Sequence, residues 1–180
     1  MVGRKLGDQS LQRILIRSTN WIGDAVMTTP ALAAVRSHYP QAEIVLLANP
    51  LVAEMFQYHP SIDRVMIYDK KGWHQGLKGL LRLIKEVRAE RFDTALLFQN
   101  AIEAALIAAL ALIPRRAGYT TDGRRLLLNY PVKITAADKR LHHTDYYLGL
   151  CAQLGITGGD DKLCLACRDV EQQWAQTVLP

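Results

Sequence analysis

The sequence predicts an α/β domain, a parallel sheet with helices on both faces. Two observations carry this reading. Short β-type runs alternate with longer helical ones along most of the 180 residues, which is the pattern of consecutive strand–helix–strand units. The β-type runs are also near-continuously apolar rather than strictly alternating, as strands are when both faces are covered. Composition allows it: 49% of the residues are apolar, enough for one domain to bury a core and too many for a disordered chain.

The elements follow in order. RILIRS (13–18), EIVLLA (43–48), RVMIYD (64–69) and DTALLFQ (93–99) read as strands. Each is short, rich in Ile, Val, Leu or aromatics, and bounded by Asn, Asp, Pro or Gly. The stretch 25–39 reads as helical, with Pro30 demanding a start at Thr29 or a kink. Helices also fit 51–58, 101–112 and 144–154, the last stopped by Gly155. The clearest is 77–92, with Leu80, Ile84 and Val87 on one face and Arg82, Lys85, Glu86 and Arg88 elsewhere. Between 117 and 134 lie short β-like runs (AGYT, LLLNY, VKI) whose connectivity the pattern leaves open. KLCLACRDVEQQWAQTVLP reads as a final strand followed by a helix, EQQWAQTVL. The whole is Rossmann-like: a leader over 1–11 expected to be flexible, a domain over 12–168, and the start of a linker helix over 169–180.

Several classes are excluded. No window approaches the roughly 20 apolar residues that span a bilayer; AIEAALIAALALI (101–113) is too short and carries Glu103. The opening MVGRKLGDQSLQ has positive charge without an apolar segment behind it, so it is no signal peptide. A soluble cytosolic protein is expected. Its three cysteines cannot all pair and would stay reduced there. Cys151, Cys164 and Cys167, or His142, His143 and Asp145, do not make the four-ligand spacing of a zinc site, so neither metal nor cofactor is expected.

The net charge of +5 is concentrated. Arg115, Arg116, Arg124, Arg125, Lys133, Lys139 and Arg140 face only Asp122 and Asp138 in that stretch, which accounts for the whole excess. Such a segment attracts phosphates, carboxylates, anionic lipid or nucleic acid, or is simply a solvated loop. It contains no recognition motif for nucleic acid. A second basic run, KKGWHQGLKG (70–79), reads either as an exposed connection or as a loop touching an anionic membrane.

In parallel α/β domains ligands bind at the carboxyl ends of the strands. After the first strand that place is held by STNWIGDAVMTTPAL, which is no dinucleotide fingerprint because G-x-G-x-x-G is absent. Asp24 there is either a helix cap or a general base at the mouth of the sheet. Ser18, Asn20, Trp21 and Gly23 beside it, and Asn100 after the fourth strand, are turn formers or substrate contacts.

These residues also carry a resemblance. ILIRSTNWIGDAVMTTPALAAVR, FDTALLFQNAIEAALIAALALIPRRAGYTTDGRRLLLN and HHTDYYLGLCAQLGI are similar to the bacterial lipopolysaccharide heptosyltransferases of glycosyltransferase family nine. The Trp-Ile-Gly-Asp wording (21–24) is closer to the branch adding the second inner-core heptose than to the branch adding the first. The resemblance implies the amino-terminal, acceptor-holding half of a two-domain GT-B enzyme acting at the cytosolic face of the inner membrane. ADP-heptose would be bound by a carboxyl-terminal domain that this chain lacks, so the chain alone would be inactive. It also implies that Asp24 is the catalytic base of an inverting transfer. Arg115, Arg116, Arg124 and Arg125 would meet the carboxylates and phosphates of the inner-core acceptor, with His142 and His143 as further anion contacts. Two alternatives stay open: another acceptor specificity within the family, and a flavodoxin-like anion-binding domain without catalysis.

Overall fold

The computed structural model describes residues 5–135 and 142–178. Its centre is β1 (Arg13–Arg17), flanked by β2 (Glu43–Ala48) and β4 (Thr94–Leu97). With β3 (Arg64–Ile67), β5 (Arg115–Tyr119) and β6 (Tyr130–Val132) these form one six-stranded sheet in the order β3-β2-β1-β4-β5-β6. Every pairing is parallel. The chain builds outward from β1 to β3, then returns to β4 and builds the other way, which opens a crevice between the ends of β1 and β4.

Side chains along a strand alternate between faces, and here each face has its own cover. Ile14 and Ile16 pack with Leu32, Phe56 and Leu150, from α2 (Thr29–His38), α3 (Pro50–Phe56) and α6 (His143–Gln153). Leu15 joins Leu83, Val87 and Ile107, from α4 (Gly76–Ala89) and α5 (Ile102–Leu110). Burying each such side chain contributes about 1.5–3 kcal/mol. That explains the near-continuous apolar runs: β1 and β2 have no wet face.

Local chemistry sets the helix boundaries. α1 (Ile22–Met27) stops at Thr28, whose hydroxyl donates to the Ala25 carbonyl at 2.6 Å. α2 then starts at Thr29, the first of the two options Pro30 allowed, with the proline in the opening turn where a missing N–H costs nothing. Asn49 caps α3 by accepting from the Val52 N–H at 2.9 Å. The run 70–79 is a tight, largely exposed connection over 70–75, with His74 buried, and then the first turn of α4; the Asp69 carboxylate accepts the Gly72 N–H at 2.9 Å, and Arg82 lies over the Trp73 ring.

Two expectations are corrected. Residues 5–11 of the presumed flexible leader are packed: Leu6 and Leu11 are buried, the Gly7 N–H donates to the Leu154 carbonyl, and the Tyr39 hydroxyl donates to Leu6. Residues 1–4 lie outside the described ones. The expected final strand before α7 (Asp169–Val178) is also absent: residues 162–168 join no sheet, and the Cys164 N–H is instead taken by the Thr29 hydroxyl. This segment runs beside α2, and the Cys164–Thr29 bond marks the contact.

The amino ends of the strands are held by charge. Arg13 meets Glu43 at 2.7 Å and Glu90 at 2.8 Å, while Arg64 meets Glu90 at 2.7 Å. The arginine hydrogen bonds hold both glutamates below the usual carboxylate range. Among the described residues no helix is long and apolar enough to cross a membrane.

Candidate functional site

At the carboxyl ends of the strands, the loop after β1 enters α1 and presents Asp24. The bland reading of Asp24 as a cap does not hold. Trp21 occupies the N-cap position without a side-chain bond, and Asp24 sits inside the first turn. Its Oδ1 accepts instead from Nδ1 of His143, at 3.0 Å. A carboxylate only accepts, so this nitrogen carries the proton. Oδ2 has no hydrogen-bond partner among the described residues, and the side chain is one-third exposed. One oxygen is thus anchored and the other is free.

Asp24 faces two adjoining recesses. The inner one, about 270 Å³, is lined by Thr19, Asn20, Trp21, Gln99, Asn100 and Tyr147 among others, and so spans the gap between β1 and β4. The outer, more open one is formed by Trp21, Gly23, Met27, His142 and His143. Trp21 is 76% exposed, a flat apolar surface beside a carboxylate. A Cβ added at Gly23 would meet nothing within 4 Å. Packing therefore does not require glycine there, although glycine within a helix costs about 0.5–1 kcal/mol relative to alanine. Gly23 and Asp24 line the same outer recess.

Asn100 is fixed from both ends. Its Nδ2 donates to the Tyr146 hydroxyl at 2.6 Å, and its Oδ1 accepts from Arg124 at 2.7 Å. Arg124 is fully buried and also donates to the carbonyls of Tyr119 and Gln99. It ties the end of β4 to the end of β5. Burial pushes its guanidinium down to about 10, still cationic at neutral pH.

The structure thus gathers Asp24, Asn20, Trp21, Gly23 and Asn100 into one crevice and adds His143. It does not gather the arginines. Arg115 and Arg116 stand at the amino end of β5, the far end of the sheet from Asp24. Arg116 is spent on the carbonyls of Ile113 and Leu127, and Arg115 lies beside Gln9 and Tyr130. Arg124 is turned inward, and Arg125 is exposed and lines neither recess at Asp24. The basic segment is contiguous in sequence only; a strand runs through it and carries its two ends apart. Asp138, Lys139 and Arg140 lie outside the described residues. Ser18 is buried and lines neither recess, because it follows β1 before the chain turns outward. Among the described residues no group of three or more His, Cys, Asp or Glu could hold a metal. The sequence pointed to His143 only as an anion contact; its pairing with a residue 119 positions away had no local signal.

A model of glycosyltransferase family 9 (heptosyltransferase) matches residues 80–176. Among curated proteins, lipopolysaccharide heptosyltransferase 2 of Salmonella typhimurium is 27% identical over 117 residues, covering 65% of this chain and 34% of its own length. Among solved structures, a family 9 glycosyl transferase from Veillonella parvula has a TM-score of 0.83 at 23% identity, covering 94% of this chain and 49% of that one. The E. coli ADP-heptose heptosyltransferase II has a TM-score of 0.73 at 22% identity, covering 94% and 51%. The chain therefore spans about a third of the curated relative and half of either solved chain, with a shared fold along nearly all its own length. With the family model covering more than half of its residues, the chain belongs to glycosyltransferase family 9, the heptosyltransferases.

Proposed function

We propose that this chain is the acceptor-side half of an inverting, ADP-heptose-dependent glycosyltransferase, with Asp24 as its general base. The observation that carries the proposal is the Asp24 carboxylate, with one oxygen held by His143 and the other free beside Trp21, at the crevice between β1 and β4. In the proposed reaction Oδ2 takes the proton of an acceptor hydroxyl. That oxygen attacks the anomeric carbon of the donor from the face opposite the leaving group. The bond to ADP breaks, and its electron pair leaves with ADP. A carboxylate placed this way accepts the proton late in bond formation, as a general base. Its charge also stabilises the oxocarbenium character of the transition state. Trp21, Gly23, Asn20 and Asn100 would shape the acceptor site, with the Arg124 clamp holding Asn100 in place.

The names of the relatives support the substrate class: the acceptor is an inner-core lipopolysaccharide, and the transfer places the second heptose on the first. In this reading residues 12–168, together with the packed residues 5–11, form the acceptor domain, and 169–180 begin the connection to a domain that binds ADP-heptose. Both substrates must be aligned across an interdomain cleft, so positioning supplies much of the rate and the chain alone is inactive. The work takes place at the cytosolic face of the inner membrane, with the exposed run 70–79 available for peripheral contact with anionic lipid.

The test is heptose transfer by the protein joined to its donor-binding half. ADP-heptose is offered with a mono-heptosylated acceptor, and wild type is compared with Asp24→Asn. A loss of at least about 10²–10⁴ in kcat is expected. Equal rates would remove Asp24 from the mechanism. Transfer only to a non-heptosylated acceptor would move the specificity to the other branch, and turnover by the isolated chain would refute its inactivity.

A further inference from the structure

The two faces of the sheet differ in what their helices show to solvent. On one, α2 and α6 leave no large apolar side chain exposed. On the other, α4 and α5 pack side by side and bury Leu83, Val87 and Ile107, yet their outer surface is apolar as well. Ile102, Leu106 and Leu110 recur every four residues and are all exposed, so they form one stripe along α5. Leu77 and Leu81 do the same over the first turns of α4, and Trp73 stands just before them. Leu77 is 73% exposed and Trp73 66%. Arg82 holds the tryptophan in place: it donates to the Trp73 carbonyl at 3.0 Å and lays its guanidinium 4.0 Å from the ring centre. Single exposed apolar residues are ordinary; several on two adjoining helices mark an interaction surface.

Charge decides what covers it. Lys71, Lys78, Lys85 and Arg88 are exposed along the same loop and helix, and none has an ion-pair partner among the described residues. The acids of α4 and α5 are already engaged, Glu86 by His74 at 2.9 Å and Glu103 by Lys70 at 2.7 Å. The covering surface must therefore be negative as well as apolar. A second copy in a two-fold pairing would set these cations against themselves. An anionic bilayer meets both demands. Leucines and tryptophan enter the headgroup boundary, while lysine stems lie along it with their ammonium groups at the lipid phosphates.

We infer that the outer face of α4 and α5, with Trp73, docks the chain on an anionic bilayer. This deepens the reading of peripheral contact over 70–79 and rests on it for the partner, while the α5 stripe lies outside that run. The position suits the chemistry. In a parallel sheet each connecting helix starts at the carboxyl ends of the strands. The starts of α4 and α5 thus share the end of the sheet that carries Asp24, and Ala101, next to Ile102, lines the inner recess with Asp24. Docking here brings that crevice to the edge of the bilayer, within reach of an acceptor whose lipid part stays embedded.

Flotation of the 180-residue chain with vesicles tests the inference. Vesicles of equimolar phosphatidylcholine and phosphatidylglycerol are compared with pure phosphatidylcholine. Binding to the mixed vesicles and little to the neutral ones is expected. Trp73 emission should shift to the blue on binding, in a chain carrying Trp21→Phe and Trp174→Phe. The partition coefficient should fall at least about fivefold in the pair Leu106→Ser and Leu110→Ser, and at least about tenfold in the pair Lys78→Glu and Lys85→Glu. Tyr58→Ser, an exposed change beyond α3, should bind as wild type does. Absence of flotation with the anionic vesicles overturns the inference, as does unchanged partitioning of the leucine pair or equal binding to neutral vesicles. Dimerisation that the leucine pair abolishes would give the face to a second copy and overturn it too. Should the leucine pair fail to fold, Leu77→Ser decides: weaker binding supports the docking face and unchanged binding rejects it. In the protein joined to its donor-binding half, the leucine pair should transfer heptose to a lipid-free acceptor at the wild-type rate. Failure of the docking face and failure of the acceptor reading are thus separate results.

Discussion

Nδ1 of His143, at the start of α6, donates to Oδ1 of Asp24, in the first turn of α1, at 3.0 Å. The bond fixes the rotation of the carboxylate and leaves its second oxygen toward the crevice. It also joins two elements that no sheet hydrogen bond connects.

If His143 acts by orienting Asp24, its removal weakens catalysis without abolishing it. In the protein joined to its donor-binding half, His143→Ala should lower kcat about tenfold, with little change in the KM for acceptor. His143→Asn, which retains a donor, should recover part of the loss. Steady-state kinetics with the acceptor varied separates this from a binding role, for which KM would rise and kcat would hold.

Gly23 offers a test of opposed effects. An alanine there meets no neighbour within 4 Å and sits in helical backbone. Gly23→Ala should therefore stabilise the chain by about 0.5–1 kcal/mol in urea unfolding. The same methyl group is added to the wall of the outer recess that Gly23 shares with Asp24, so transfer should fall. A variant that is more stable and equally active would show that the space is not used.

Arg124 is predicted to be structural. Its removal leaves a buried acceptor on Tyr119 and two part-buried ones, on Gln99 and Asn100, without their donor. Arg124→Ala should cost about 2–4 kcal/mol, since a buried acceptor left unsatisfied costs about 1–3 kcal/mol and the part-buried ones add less. Arg125→Ala, on the exposed next residue, should change stability by less than about 0.5 kcal/mol. Comparing the two urea midpoints checks the contrast, and equal effects would argue against the clamp.

Acid should weaken the amino end of the sheet. Glu43 and Glu90 are held below their ordinary value of 4.5 by hydrogen bonds from Arg13 and Arg64. A carboxylate lowered in the folded state contributes stability above its unfolded pKa and loses it as pH falls through the folded one. The network's contribution is thus complete above about pH 5 and declines below about 4.5. Partial exposure limits it to about 1 kcal/mol per pair at most. Arg64→Met should flatten the dependence of urea stability on pH between 5 and 3; an unchanged slope would leave the network without a role.

Much of the architecture was legible in the residues themselves. The four apolar runs at 13–18, 43–48, 64–69 and 93–99 became β1 to β4; β1, β2 and β4 are buried on both faces, whereas β3 is a partly exposed edge. Pro30 marked the start of α2, and the 3.6-residue spacing of Leu80, Ile84 and Val87 marked α4. Asp24, too, was visible, through its place after the first strand and the family wording around it. Less legible were residues 5–11 and 162–168: the former are anchored in the core by Leu6 and Leu11, and in the latter the Cys164 N–H bonds the Thr29 hydroxyl of α2 rather than a strand.

What the sequence by itself determined is therefore four of the six strands, most of the helices and the family, since these follow from local periodicity and short motifs; β5 and β6, in the stretch the pattern left open, came from the tertiary structure. Tertiary structure alone decided which charges share a site. It set Arg115 and Arg116 at the opposite end of the sheet from Asp24, turned Arg124 inward, and brought His143 across 119 positions to Asp24. The physical reason is that a charge's role depends on its neighbours and its distance from water, and in a parallel sheet those are set by strand order rather than by adjacency along the chain.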